Sequence, residues 1–321
     1  MFRRARFLAG FLFLGAFLNG CVLLVPPEYT ALKQERPPEL PSRVELEDVP
    51  YFAQEEYQCG PAAIAMVMNA AGARVNLDEM VEQVYLPGRK GSLQLEMLVA
   101  PRRHGLVAYQ LEPKLADLLR EVASGTPVVV LENYRYRWWP LWHYAVIIGY
   151  DLDEGEIIRR SGPRFRQTMP FPVFEYVWID DDYWAMVVVP PDRIPVTATE
   201  ARYGLAVAAL ERTGQTKNAQ IAYEAMLKRW PSSLAGLMGR GNTAYTLKDI
   251  ETAESAFRQA AQAHPAAAAP FNNLAHLLAE RGKLTEALAA AEHAVSLGGP
   301  LLSATQATLD EIRKQTATGT P

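Results

Sequence analysis

Between residues 47 and 190 the apolar positions change period several times. Helix-like runs cover about 61–71, 76–86 and 92–104, where apolar residues return every three or four places. Denser runs rich in β-branched and aromatic residues follow at 128–131, 143–150, 156–158 and 184–189, and these predict strands. Pro190-Pro191 closes this mixed unit, and residues 191–199 read as a linker. From about 200 to 315 the chain is alanine-rich and nearly free of strand signals, so an all-helical unit is expected. Ahead of both units, residues 7–17 are apolar, and residues 22–46 carry Pro26, Pro27, Pro37, Pro38 and Pro41 among charges. That proline spacing predicts an extended tether.

Two folded units suit a chain of 321 residues. With 49% hydrophobic and 21% charged residues, the chain is neither disordered nor a membrane-embedded bundle. A formal charge of −4 supplies no basic patch to hold a phosphate backbone, so nucleic acid is not an expected partner. Only Cys21 and Cys59 are present, which excludes a disulfide framework and a cysteine-based zinc site. The sequence shows no HExxH, P-loop, GxGxxG or EF-hand pattern, and no metal or cofactor is expected.

Arg3, Arg4 and Arg6 precede the short apolar run, which is too short to span a bilayer and ends in Leu18-Asn19-Gly20-Cys21. That tetrad resembles the lipobox of bacterial lipoproteins. The resemblance implies a signal peptide over 1–20, lipid on Cys21, and a tether over 21–46. Because Val22 and not Asp follows Cys21, it further implies the outer membrane, facing the periplasm. Loss of the three arginines would shift the formal charge from −4 to −7.

In the helical unit several columns share one period. Ala219, Ala253 and Ala287 recur every 34 residues, as do Tyr203, Leu237 and Phe271. Pro231 and Pro265 keep the same spacing. The pattern resembles tetratricopeptide repeats, three of them plus a capping helix over 301–314, and implies a protein or peptide partner on the concave face. Gly214 and Gly282 mark inter-helix turns where the middle repeat has Lys248.

Chemistry concentrates at Gln54-Glu55-Glu56-Tyr57-Gln58-Cys59-Gly60-Pro61-Ala62. Cys59 opens a helix whose first turn accepts Pro61. Unpaired N–H groups and the positive end of the helix dipole favour a thiolate there, so a thiol pKa below the ordinary value is expected. A cysteine at such a site is either a nucleophile or a small buried hydrophobe, and the polar approach favours the nucleophile. A nucleophile needs a base. His264, His276 and His293 fall in the repeats, and His104 follows a helix as an ordinary C-terminal complement. His143 remains, at the start of a strand. The stretch Tyr134-Arg135-Tyr136-Arg137-Trp138-Trp139-Pro140-Leu141-Trp142 leads into it, either as a substrate-gripping lid or as packing.

Together with Gly91-Ser92-Leu93, Gly125-Thr126-Pro127 and His143-Tyr144-Ala145-Val146-Ile147-Ile148-Gly149-Tyr150, these landmarks resemble the C39-type cysteine peptidases. The fold so implied is an α+β papain-like cysteine peptidase domain over 47–190, followed by the all-α tetratricopeptide solenoid over 200–315. The resemblance makes Cys59 the nucleophile, His143 the base and Gln54 the oxyanion donor, with Gln58 as the other candidate for that role. It also calls for an Asp on the strand after His143. That strand exits through Arg159-Arg160-Ser161-Gly162 instead. Asp151 lies about 26 Å along the extended strand from His143. Ser161 is the residue that could orient the imidazole, so modest or absent activity is expected. The function implied is a membrane-anchored peptidase acting on a peptide or protein. Alternatives are an inactive peptide-binding scaffold and, less favoured because Gln58-Cys59-Gly60 replaces Asp-Cys-Ser, a peptidoglycan amide hydrolase.

Overall fold

A computed structural model describes residues 26–53 and 56–318. The expected signal peptide, Cys21 and Gln54 lie outside the described residues.

Seven antiparallel strands form one sheet in the order β2 (Val107–Gln110), β7 (Ala185–Val189), β3 (Val128–Asn133), β4 (Trp142–Asp151), β5 (Glu156–Ser161), β6 (Arg164–Pro170). Strand β1 (Arg43–Glu45) pairs with the far end of β4, Arg43 against Asp151 and Glu45 against Gly149. A Cβ at Gly149 would collide with the Val44 carbonyl, so this close approach of two backbones requires glycine.

Alternation along the strands divides the core. Val129, Leu131, Tyr144, Val146 and Ile148 face the helices α2 (Cys59–Ala70), α3 (Leu77–Val84) and α4 (Gln94–Arg103). Val128, Val130, Ala145 and Ile147 face α5 (Leu115–Ala123) and α6 (Phe171–Trp178). Helix α2 is buried from Gly60 to Met68, apolar on all sides, as expected of a helix enclosed by a sheet and its neighbours.

Over its described part, residues 26–46, the predicted tether is not extended. Helix α1 (Pro27–Gln34) docks on the sheet unit, where the backbone N–H groups of Glu28 and Tyr29 donate to the buried Glu175 carboxylate at 2.8 and 2.6 Å. Tyr29 stacks on Phe171, and Leu32 and Leu40 are buried. Prolines 26 and 27 start this helix, a position where the missing N–H costs nothing.

Residues 200–318 form seven helices, α7 (Glu200–Glu211), α8 (Thr216–Arg229), α9 (Leu234–Thr246), α10 (Ile250–Ala263), α11 (Ala268–Glu280), α12 (Leu284–Ser296) and α13 (Leu302–Thr318). They make three antiparallel pairs and a cap, with the small residues Ala219, Ala253 and Ala287 fully buried between helices. The predicted linker is fixed in place. Thr197 donates through backbone and side chain to buried Glu121, the Arg193 guanidinium donates to the Ser124 carbonyl, and Tyr203, Val207, Tyr223 and Met226 share one core with α5 and β2.

The inter-helix turns place Gly214, Lys248 and Gly282 at φ of 83°, 65° and 72°. Only glycine takes this left-handed region without steric cost. Lys248→Gly is therefore expected to stabilise the chain by about 0.5–1 kcal/mol, net of a weak ammonium contact with the Tyr245 ring, as read from urea unfolding midpoints.

Candidate active site

Cys59 is the first residue of α2, and its thiol is half-buried and unpaired with any other cysteine among the described residues. Three backbone N–H groups face the sulfur, those of Tyr144, Gly60 and Cys59 itself. The helix start thus presses the thiol against the rim of β4. Gly60 permits this, because a Cβ there would collide with the Ser92 side chain packed across the first turn. The expected lowering of the thiol pKa does not hold. Burial pushes it above the ordinary value, and the three N–H groups only partly oppose the rise.

His143 lies one residue before Tyr144, at the start of β4, opposite Glu132 of β3. Its Nε2 is 2.9 Å from the hydroxyl oxygen of Ser161 on β5. The Tyr134 ring stacks on the imidazole with centroids 5.3 Å apart. Burial, with the nearby Arg159 guanidinium, lowers the imidazole pKa to about 4. At neutral pH the pair is therefore an uncharged thiol and an uncharged imidazole. Alternation continues Glu132 and His143 on the α5–α6 side and Tyr144 on the α2 side. The two sides open at the strand end into one cavity of about 660 Å³, lined by Cys59, Ser92, Tyr134, His143 and Tyr144 among others.

No carboxylate contacts the imidazole directly among the described residues. Asp151 sits at the other end of β4, where it accepts from the backbone N–H groups of Asp153 and Glu154 at 3.0 Å, an ordinary turn arrangement. His104 caps α4 beside Glu79 and Gln83. In the repeats His264 contacts the Ser232 carbonyl, His276 contacts Thr308, and His293 packs on Phe271. Gln58 occupies the N-cap of α2.

Two features were not legible in the sequence. Buried Glu132 and Arg159 pair across β3 and β5, and the Tyr134 hydroxyl donates to Glu132 Oε2 at 2.6 Å. The alternation of β3 could have shown that Glu132 must point inward beside His143. The second is the aromatic segment, which forms a projecting hairpin instead of packing on the sheet. Trp138 is 78% exposed, Tyr136 and Trp139 are exposed too, and Arg135 stacks over Trp139. Its base, Tyr134 with Pro140 to Trp142, borders the cavity.

Residues 46–183 match the model of the Peptidase_C39 like family, so this unit is C39-like. Among solved structures, a C39-like peptidase from Bacillus anthracis is 19% identical, with 46% of this chain and 98% of that one covered and a TM-score of 0.39. A double glycine motif protease from an AMS/PCAT transporter, solved with the leader peptide, is 22% identical over 44% and 91% of the two chains, with a TM-score of 0.34. The helical region is similar to the TPR2B-domain:pHsp70 complex of yeast Sti1, at 17% identity over 36% and 97%, also with a TM-score of 0.34. A search of curated proteins returned no match.

The depressed imidazole pKa makes a stability prediction. Between about pH 6.5 and 4 the unfolded chain takes up a proton at His143 that the folded chain does not, so stability falls as pH falls through that window. The full shift corresponds to at most about 3 kcal/mol. His143→Gln removes this component, so the stability difference between wild type and variant should narrow by that order from pH 7 to pH 4. A difference that stays constant across the urea titrations would refute the assignment.

Proposed function

We propose that residues 46–183 form a cysteine peptidase in which Cys59 attacks a peptide carbonyl and His143 manages the proton. The observation that carries this reading is the Tyr144 N–H facing the Cys59 sulfur, which brings the thiol to within one residue of His143 on a shared cavity wall. Because the resting pair is uncharged, the thiol proton moves to the imidazole as the sulfur bonds to the carbonyl carbon. His143 then returns that proton to the leaving amine. Water, deprotonated by the same imidazole, releases the acyl group and restores the thiol. The N–H of Cys59 and the Gln54 amide are the proposed donors to the oxyanion, a role in which one side-chain donor is worth about 3–4 kcal/mol.

A second reading, a peptide-binding scaffold without turnover, draws on the raised thiol pKa and on there being no carboxylate directly on His143 among the described residues. The repeats serve either reading by holding a peptide segment of a partner on their concave face. Incubation of the full chain with a peptide mixture separates the two by mass spectrometry. New termini are expected for wild type, with at least about a hundredfold loss in Cys59→Ala and His143→Ala. Peptide retained equally by wild type and Cys59→Ala, with no cleavage by either, would install the scaffold in its place.

We further propose that Cys21 carries lipid and places the protein on the outer membrane, facing the periplasm. Pro26, the first described residue, leads directly into docked helix α1. Five residues span at most about 18 Å, so the peptidase unit would be held close to the bilayer and not on a long tether. Cys21→Ala is expected to move the protein from the membrane fraction to the soluble one. Retention in the membrane fraction would end the proposal.

A further inference from the structure

Among the described residues no carboxylate touches the imidazole, yet a buried carboxylate stands behind it across two intervening side chains. Ser161 Oγ is 2.9 Å from His143 Nε2. The Ser161 hydroxyl in turn faces the oxygen of the Tyr134 phenol, whose O–H donates to Glu132 Oε2 at 2.6 Å. Glu132 Oε1 is held by Arg159, which also donates to Gln167 at 3.1 Å and lies 5.9 Å from the Tyr134 ring centroid. Glu132, Arg159 and Ser161 are buried, and the Tyr134 ring covers the imidazole. Among the described residues Arg159 of β5, Glu132 of β3 and Tyr134 at the hairpin base are the ionisable groups grouped with His143, and Cys59 at the start of α2 lines the same cavity.

Hydrogen-bond inventory gives this chain a direction. A guanidinium only donates, so Glu132 accepts on Oε1, and its other oxygen accepts the single phenol proton. Tyr134, having spent that proton, can only accept from Ser161. Ser161 then has no proton left for the imidazole and can only accept from it. Resting on the peptidase reading above, we propose that Ser161, Tyr134 and Glu132 form a positioning relay that keeps the His143 proton on Nε2, leaving Nδ1 as the atom that takes the Cys59 proton. No proton need travel along the relay. When Nδ1 is protonated, the imidazolium keeps its Nε2–H bond to Ser161, and the aligned hydroxyl dipoles end on the Glu132 carboxylate. The residues therefore do at two removes what a directly bonded carboxylate does elsewhere, which is to set the tautomer and favour the charged ring.

The experiment uses the full chain with ¹⁵N-labelled histidine and reads the His143 tautomer by NMR, with a thermal unfolding check on each variant. Wild type is expected to show protonated Nε2 and bare Nδ1. Ser161→Ala should abolish that bias, and Tyr134→Phe, which keeps the ring stacked, should weaken it. Ser161→Asn, whose amide oxygen can accept directly, should restore it, and Ser161→Thr should leave it unchanged. On any peptide the chain cleaves, Ser161→Ala should lower kcat about tenfold to a hundredfold with KM within about twofold, and Ser161→Asn should recover most of the loss. A wild-type tautomer in both folded Ser161→Ala and Tyr134→Phe overturns the relay, as does a wild-type ring protonated on Nδ1. The tautomer is read without turnover. A relay that holds in a chain unable to cleave, with Cys59 alkylation no faster than in His143→Ala, would instead count against the peptidase reading alone.

Discussion

Everything at the cavity depends on where the burial of α2 leaves its first residue. The helix is apolar on all sides and enclosed by the sheet and by α3 and α4, so it cannot slide or rotate without exposing Met66, Met68 or Ile64. Its start is fixed by the same packing, and the Ser92 side chain admits only glycine at the next position. Cys59 is thereby held against the backbone of β4 at Tyr144, and the strand carries His143 to the adjacent position. Two residues 84 positions apart in the chain are registered by core packing, with no bond between their elements required.

The same burial decides the electrostatics. A helix N-terminus typically lowers a thiol pKa, and N–H groups do act on Cys59 in that direction. Desolvation of the charged form is the larger effect here and raises the pKa instead. The imidazole is displaced the opposite way for the same reason, with Arg159 adding to the shift. Such a pair rests uncharged. Under the proposed mechanism charge would separate only on attack, which would place a premium on anything that stabilises imidazolium, and Arg159 alone would oppose it. Pairing Arg159 with Glu132 offsets that cationic field next to the base.

The parts of this architecture that read clearly in the sequence are those with a strong period or a local signature. The 34-residue columns gave the repeats and their cap, and the alternating runs gave β3, β4, β5 and β7 to within a few residues. Ser161 was recognised as the polar residue nearest His143, on strand order alone. Elements without a period of their own were missed. Short β2 has only four residues, and α5 and α6 owe their place to contacts with distant segments such as α1. The prolines of residues 26–41 read as a tether because proline chemistry is compatible with either an extended chain or a helix start. The Glu175 carboxylate, almost 150 residues away, selects the second. Glu132 escaped because a charge at the end of an apolar run looks like the exit of a strand. The Arg159 guanidinium on β5 and the Tyr134 phenol together make burial tolerable.

The junction between the two units follows the same logic as the placement of Cys59 beside β4. Residues 191–199 have the composition of a linker, yet Thr197 bonds to Glu121, a carboxylate with no exposure whose pKa burial raises. A flexible linker would leave Glu121 buried without those donors, which is costly. Around this polar contact, Tyr203, Val207, Tyr223 and Met226 join the core of the sheet domain, and Gln215 and Thr213 bond to the carbonyls that end α4. The first repeat is therefore part of the C39-like unit's core as much as of the solenoid. Helix α4 begins just after Ser92 on the cavity wall and ends on the first repeat. Helix α4 thus joins the cavity wall to the first repeat as one continuous element, fixed at its far end by the Thr213 and Gln215 side chains.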